Sequence, residues 1–164
     1  MLAPPQGRST ESLGTARLLA LAVPAALLAG AYGSQIFGGL YPCEMCWWQR
    51  YAHFAALPFA LLALISPLHA PRTRTLTLCA AFAIAVSGLI GAYHAGVEWK
   101  ILPGLTTCST GGPKSLEDIL STPLIQCDQV QWELFGISLA GWNALFSLGG
   151  ATLIVRLALR KDGR

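Results

Sequence analysis

Five cysteines are spread over 164 residues, and two of them stand three positions apart in Pro42-Cys43-Glu44-Met45-Cys46. A disulfide stabilises a fold chiefly by restricting the unfolded chain, and more so for longer loops. Cys43–Cys46 encloses almost nothing, so it is a poor staple and a better redox switch. Arg50 and His53 follow Cys46 at helical spacing, and the three form one stripe down a helical face. If a helix opens at Cys46, its unpaired backbone N–H groups and its dipole stabilise a thiolate there. A cation at Arg50 works in the same direction. Its alternative reading is an interfacial arginine whose head reaches water.

Cys108 and Cys127 are the other two cysteines of interest, and Cys79 stands apart as a small apolar residue of a helix. Four cysteines allow three connectivities. The closeness of Cys43 to Cys46 favours the arrangement Cys43–Cys46 with Cys108–Cys127.

The elements that must position these thiols are membrane helices. Hydrophobic residues make up 54% of the chain and charged residues 12%, against roughly 45–50% and about 25% in an ordinary soluble domain. The excess falls in blocks at 18–37, 47–66, 75–95 and 137–159, each near the ~20 residues that cross a bilayer. The expected fold is an all-α integral membrane bundle of four transmembrane helices, one domain over 1–164, with outer loops at 38–46 and 96–136. Small-residue series such as Gly30, Gly33 and Ser34, or Ser87, Gly88 and Gly91, let neighbouring helices approach closely. The first apolar block is too long for the core of a cleaved signal peptide and reads as a spanning helix. Residues 1–15 read as a flexible tail.

Orientation follows from the basic residues. Arg8, Arg17, Arg72, Arg74, Arg156, Arg160, Lys161 and Arg164 flank the two tails and the turn between the second and third blocks, whereas Arg50, Lys100 and Lys114 fall on the other side. By the positive-inside rule both termini are cytoplasmic and the loops carrying Cys43, Cys46, Cys108 and Cys127 face out, where disulfides persist. The net charge of +3 is thus a topology signal; no clustered basic face suggests nucleic acid. Within the second loop, Ser115-Leu116-Glu117-Asp118 resembles a capping box opening a short helix, read either as lying on the membrane surface or as covering the bundle.

A thiol pair at a lipid interface needs an electron sink that resides in the membrane. Trp47, Trp48, Tyr51 and Phe54 surround the stripe, and Tyr93-His94 closes the outer end of the third block. An aromatic pocket with one cation and one imidazole suits a quinone ring; the same aromatics also fit an interfacial belt.

These residues resemble the disulfide bond formation protein B (DsbB) family over nearly the whole chain. The resemblance is carried by Pro42-Cys43-x-x-Cys46 with Arg50, by Tyr93-His94, by Cys108 and Cys127 in a long loop, and by Cys127-Asp128-Gln129-Val130-Gln131-Trp132-Glu133 leading to Phe135-Gly136. It implies a bacterial inner-membrane thiol:quinone oxidoreductase that reoxidises a periplasmic thioredoxin-fold dithiol oxidase of the DsbA type. Cys108 would take the partner's attack as a mixed disulfide and Cys127 would leave, then pass electrons to Cys43–Cys46. Cys46 would contact a ubiquinone or menaquinone held by Arg50, His94 and Trp47, with no metal. The loop between Cys108 and Cys127 departs from the resemblance, being shorter than in the family's best-known member and largely unlike it. Three alternatives have their own signatures. A vitamin K epoxide reductase-like quinone reductase also joins CxxC to a four-helix bundle, a four-thiolate zinc site would bind metal, and a structural membrane subunit would use both pairs as staples.

Overall fold

A computed structural model describes residues 7–104 and 127–160. Within them α1 (Gly7–Gly38), α2 (Glu44–Ile65) and α3 (Pro71–Glu98) precede a small antiparallel hairpin of β1 (Glu133–Leu134) and β2 (Ile137–Ser138), which leads into α4 (Leu139–Ala158). Local sequence sets the boundaries. Cys43 is the N-cap of α2, its sulfur accepting from the Cys46 amide, and Ser138 caps α4 by accepting from the Gly141 amide. Ser66 ends α2 in an extended conformation, as the residue before Pro67 must. Pro71 opens α3 at its first turn, where its missing N–H costs nothing.

α3 packs between α2 and α4, and α1 lies against both of these partners. The core is built from small side chains, Ala16, Ala20, Ala56, Ala60, Ala80, Ala81, Ala151 and Ala158 with Ile84 and Ile154, all buried. Large apolar side chains point the other way: Phe82 is 72% exposed, Leu89 62% and Phe146 56%. This arrangement, small residues at helix contacts and bulky apolar ones outside, suits lipid rather than water. α1 over Ser9–Gly38 and α3 over Pro71–Glu98 are long and apolar enough to cross a membrane.

Close approach is most demanding in α3. A Cβ on Gly88 would meet Leu148 at 2.8 Å, and one on Gly91 would meet the Ala140 carbonyl oxygen at 2.9 Å and Asn143 Nδ2 at 3.0 Å.

The first helix begins at Gly7, well inside the segment expected to be a flexible tail. Leu13, Ala16 and Ala20 are buried, and their i, i+3, i+7 spacing carries the helix inward from the apolar block. The hairpin was also unforeseen, since positions 137–138 fall in the expected fourth span. Phe135 and Gly136 have φ of 54° and 74°, the pair of left-handed residues that a two-residue primed turn needs.

Candidate functional site

The N-terminus of α2 brings the two sulfurs of Cys43 and Cys46 to 2.9 Å as free thiols. The Cys43 thiol donates toward Cys46 and holds it well below the ordinary thiol range; burial opposes this, and the His94 imidazole assists. The same bond, with burial, pushes Cys43 up. One sulfur is therefore set to be a thiolate and the other to keep its proton.

His94 on α3 joins this pair to the chain around Cys127. Its Nε2 lies 3.1 Å from the Cys127 carbonyl oxygen and 3.6 Å from Cys43 Sγ, and Nδ1 lies 3.0 Å from Gln49 Nε2. A carbonyl only accepts, so Nε2 carries the hydrogen, and Nδ1 accepts from the Gln49 amide. Cys127 is disulfide-bonded and buried in one cluster with Cys43 and Met45, against which Cys46, Trp48 and Tyr93 pack. Three further bonds hold the segment after Cys127 here. Gln131 Nε2 donates to the Tyr41 carbonyl at 2.8 Å, and Lys100 Nζ reaches the Asp128 carbonyl at 2.8 Å and its carboxylate. The Lys100 ammonium keeps the Asp128 carboxyl below its usual range.

Beside the thiols a cavity of about 230 Å³ opens between α1, α2 and α4, lined by Cys46, Gln49, Arg50, His53, His94 and Asn143 with apolar walls from Leu27, Leu28, Leu139 and Phe146. The stripe read from the sequence is therefore real: Cys46, Arg50 and His53 face one space. Arg50, however, is not a solvated interfacial residue. It is 6% exposed, donates to Gln35 Oε1 at 2.6 Å and to the Ala31 carbonyl at 3.0 Å, and sits between the rings of Tyr32 and Trp47. The cause is α1, whose polar groups near its C-terminal end gather the guanidinium inward. Trp47 covers Arg50 and stacks on Tyr51. Among the described residues the cavity's aromatic lining comes from Tyr41, Trp132, Trp142 and Phe146; the expected ring of Trp47, Trp48, Tyr51 and Phe54 does not line it.

The cavity floor is a buried polar network that sequence reading missed. Gln49 Oε1 accepts from Asn143 Nδ2 at 2.7 Å, Asn143 Nδ2 also reaches Ser87, and Asn143 Oδ1 accepts from His53 Nε2 at 2.9 Å and Ser147 Oγ at 3.0 Å. The signal was present, because Gln49, Ser87, Asn143 and Ser147 interrupt apolar blocks, and polar residues inside such blocks mark functional interiors. Glu98, at the end of α3, accepts from Ser138 Oγ and lies 3.8 Å from His94 Nε2.

The sulfurs of Cys43 and Cys46 and a nitrogen of His94 lie within 4.8 Å of one another, spacing that a metal could use. Both nitrogens of His94 are already engaged, so the imidazole presents no free lone pair. Cys79 is a free thiol on α3, away from this group. Cys108, Lys114 and the 115–118 segment lie outside the described residues.

Comparison with known proteins places this geometry among relatives. The family described as "Disulfide bond formation protein DsbB" matches residues 14–157. A disulfide bond formation protein B of Azoarcus sp. (strain BH72) is 33% identical over 147 residues, covering 84% of this chain and 86% of its own length. Its namesakes in Xanthomonas oryzae pv. oryzae (strain MAFF 311018) and Aromatoleum aromaticum (strain DSM 19018 / LMG 30748 / EbN1) are 33% and 32% identical, covering 80% and 87% of this chain and 82% and 90% of their own lengths. No solved structure matches the chain.

Proposed function

The chain belongs to the DsbB family of disulfide bond formation proteins, membrane oxidoreductases, and from that premise we propose that it is a thiol:quinone oxidoreductase of the bacterial inner membrane. It is one domain of four spanning helices with cytoplasmic termini, and its partner is a periplasmic thioredoxin-fold dithiol of the DsbA type. One observation carries this reading: disulfide-bonded Cys127 is buried against Cys43, with His94 hydrogen-bonded to the Cys127 carbonyl and in contact with Cys43. Residues far apart in sequence, Cys43 and Cys127, thereby share one buried cluster.

The family resemblance implies the sequence of exchanges, and that contact supports it. The partner's thiolate attacks Cys108 Sγ, forming a mixed disulfide and releasing Cys127 as a thiolate. Cys127 then attacks Cys43 of an oxidised Cys43–Cys46 pair. Cys46 is the leaving group, which its low pKa favours. The partner's second thiol frees Cys108, and Cys108 in turn displaces Cys43 from Cys127, regenerating Cys108–Cys127. The net result is one partner disulfide made and the Cys43–Cys46 pair reduced, two electrons moved. When bound, a quinone supplies a sink for two electrons and two protons. The cavity fits such a group, with apolar walls, a fixed cation at Arg50, the Cys46 sulfur, and at His53 a buried ring nitrogen that has no hydrogen-bond partner among the described residues. Arg50 would hold a carbonyl oxygen, with Trp47 keeping the guanidinium in place. His94 would position Cys43 and keep the Cys127 segment closed over the pair.

The test is anaerobic. Purified protein mixed with a reduced DsbA-type protein and a short-chain quinone should consume one quinone per partner disulfide formed. Partner oxidation without quinone loss, or none at all, contradicts the reading.

A further inference from the structure

The exchange scheme leaves His53 without a role, although its ring lines the cavity and is 3% exposed. Its protonation is fixed by its neighbours. Asn143 spends its amide N–H groups on Gln49 and Ser87, so Asn143 Oδ1 is what faces His53 Nε2 at 2.9 Å. An amide oxygen only accepts, hence Nε2 carries a hydrogen. In the neutral ring Nδ1 is then a bare lone pair, buried and with no hydrogen-bond partner among the described residues. A buried polar atom left unsatisfied in a cavity calls for a ligand atom or a proton.

The stoichiometry of the site supplies a use for it. Oxidising a thiol at Cys43 and a thiolate at Cys46 to their disulfide releases two electrons but only one proton. A quinone needs two of each to become a quinol. The missing proton is the one that Cys46 gave up on becoming a thiolate, and the cavity must keep it somewhere. Resting on the quinone reading above, we propose that His53 is the second proton station of the cavity. Its Nδ1 holds that proton and delivers it to a bound quinone as the Cys43–Cys46 bond forms.

The balance closes. The S–S bond forms, the Cys43 S–H and His53 Nδ1–H bonds break, two O–H bonds form, and the negative charge of Cys46 cancels the positive charge of the imidazolium. Asn143 Oδ1 supports the charged ring through the Nε2–H, and the lone pair left at Nδ1 after transfer accepts from a quinol hydroxyl. His53 lies seven residues beyond Cys46 on α2, about 10 Å along the helix, which places it at the deeper end of the cavity. The titratable groups around the cavity are, besides His53, Cys46 and Arg50 on α2, Cys43 at its N-cap, Tyr41 before it, and His94 and Glu98 on α3. α1 faces Arg50 with Gln35 and Tyr32, and α4 offers Asn143 and Ser147.

The experiment uses the full chain made redox-inert by Cys43→Ser and Cys46→Ser, in lipid nanodiscs, labelled with ¹⁵N-histidine. Three histidines are present, so the signals are few, and single substitutions of His69 and His94 assign them. Short-chain ubiquinol should move the His53 Nδ1 resonance from its bare lone-pair position toward a hydrogen-bonded one. His53→Leu should weaken quinol binding about tenfold, the worth of one hydrogen bond, and quinone binding less. The resonance readout needs no substitution at His53, so misfolding of the Leu variant cannot mask the answer. Quinol that binds without moving that resonance overturns the proposal and leaves the quinone reading standing. A redox-inert protein that binds neither quinone nor quinol overturns the quinone reading, and this inference with it.

Discussion

The two ends of the bundle are held together by different chemistry. At the end away from the cysteines, α1, α2, α3 and α4 meet through Ala16, Ala20, Ala60, Ala80, Ala81, Ile154 and Ala158, contacts that need only small size. Toward the cysteine end the same helices bury Gln49, Arg50, Ser87 and His94, joined by half-buried Asn143, and nearly every partner is polar. Burying polar groups lowers stability unless each is matched, so a bundle built for stability alone would repeat the alanine interface along its whole length. The cysteine half departs from it where Cys43, Cys46, Cys127 and the cavity lie. The cysteines and the cavity lie where the packing is chemically costly.

Substitutions in the two halves should therefore have different signatures. The largest effect is expected from Cys46→Ser, which removes the thiolate and should drop quinone turnover to background while leaving the fold intact. In the parent, iodoacetamide applied to the reduced protein at about pH 6 should modify Cys46 well before Cys43, since low thiol pKa governs that rate. Equal labelling would show that the asymmetry of the pair is absent.

Arg50→Gln comes next. Because the guanidinium is buried and bonded to Gln35 and Ala31, the loss should reach stability as well as turnover, by about 2–3 kcal/mol for hydrogen bonds to a charged group. Lysine should rescue only in part, lacking the planar fork of donors. Unchanged unfolding midpoint and unchanged quinone KM would return Arg50 to the role of interfacial anchor.

Gly91→Ala should follow at roughly 1–3 kcal/mol for overpacking. The added methyl would press on Ala140, Asn143 and Gln49, so it should also perturb the His94 and His53 resonances. Ala60→Gly, in the alanine half, should cost only about 1 kcal/mol of helix propensity and leave Cys46 reactivity untouched. If Ala60→Gly altered the thiols as much as Gly91→Ala, the division between the halves would be false.

Much of this was legible in the sequence for simple reasons. Hydrophobic block lengths located the four helices, and the spacing of Cys46, Arg50 and His53 located one cavity-lining face, because both are local periodicities. What could not be read was how faces meet. The burial of Arg50 depends on Gln35 and the Ala31 carbonyl of another helix, and nothing local to Arg50 encodes them. The Gln49–Asn143 bond joins residues 94 apart, and only the missing side chain of Gly91 lets the helices come close enough to make it. The start of α1 and the Phe135-Gly136 turn were missed for the opposite reason. Tertiary burial of Leu13 and two left-handed residues overrode a weak local pattern.

The most direct test of the central claim, that Cys127 lies against the Cys43–Cys46 pair, is a cross-link between Cys43 and Cys127. In a Cys46→Ser, Cys108→Ser variant, the thiols of Cys43 and Cys127 lose their usual partners, and mild oxidation in membranes followed by non-reducing peptide mapping reads where they pair. The buried contact around His94 predicts an intramolecular Cys43–Cys127 disulfide in most molecules. Free thiols at both positions, or dimers linked through either one, would contradict the account.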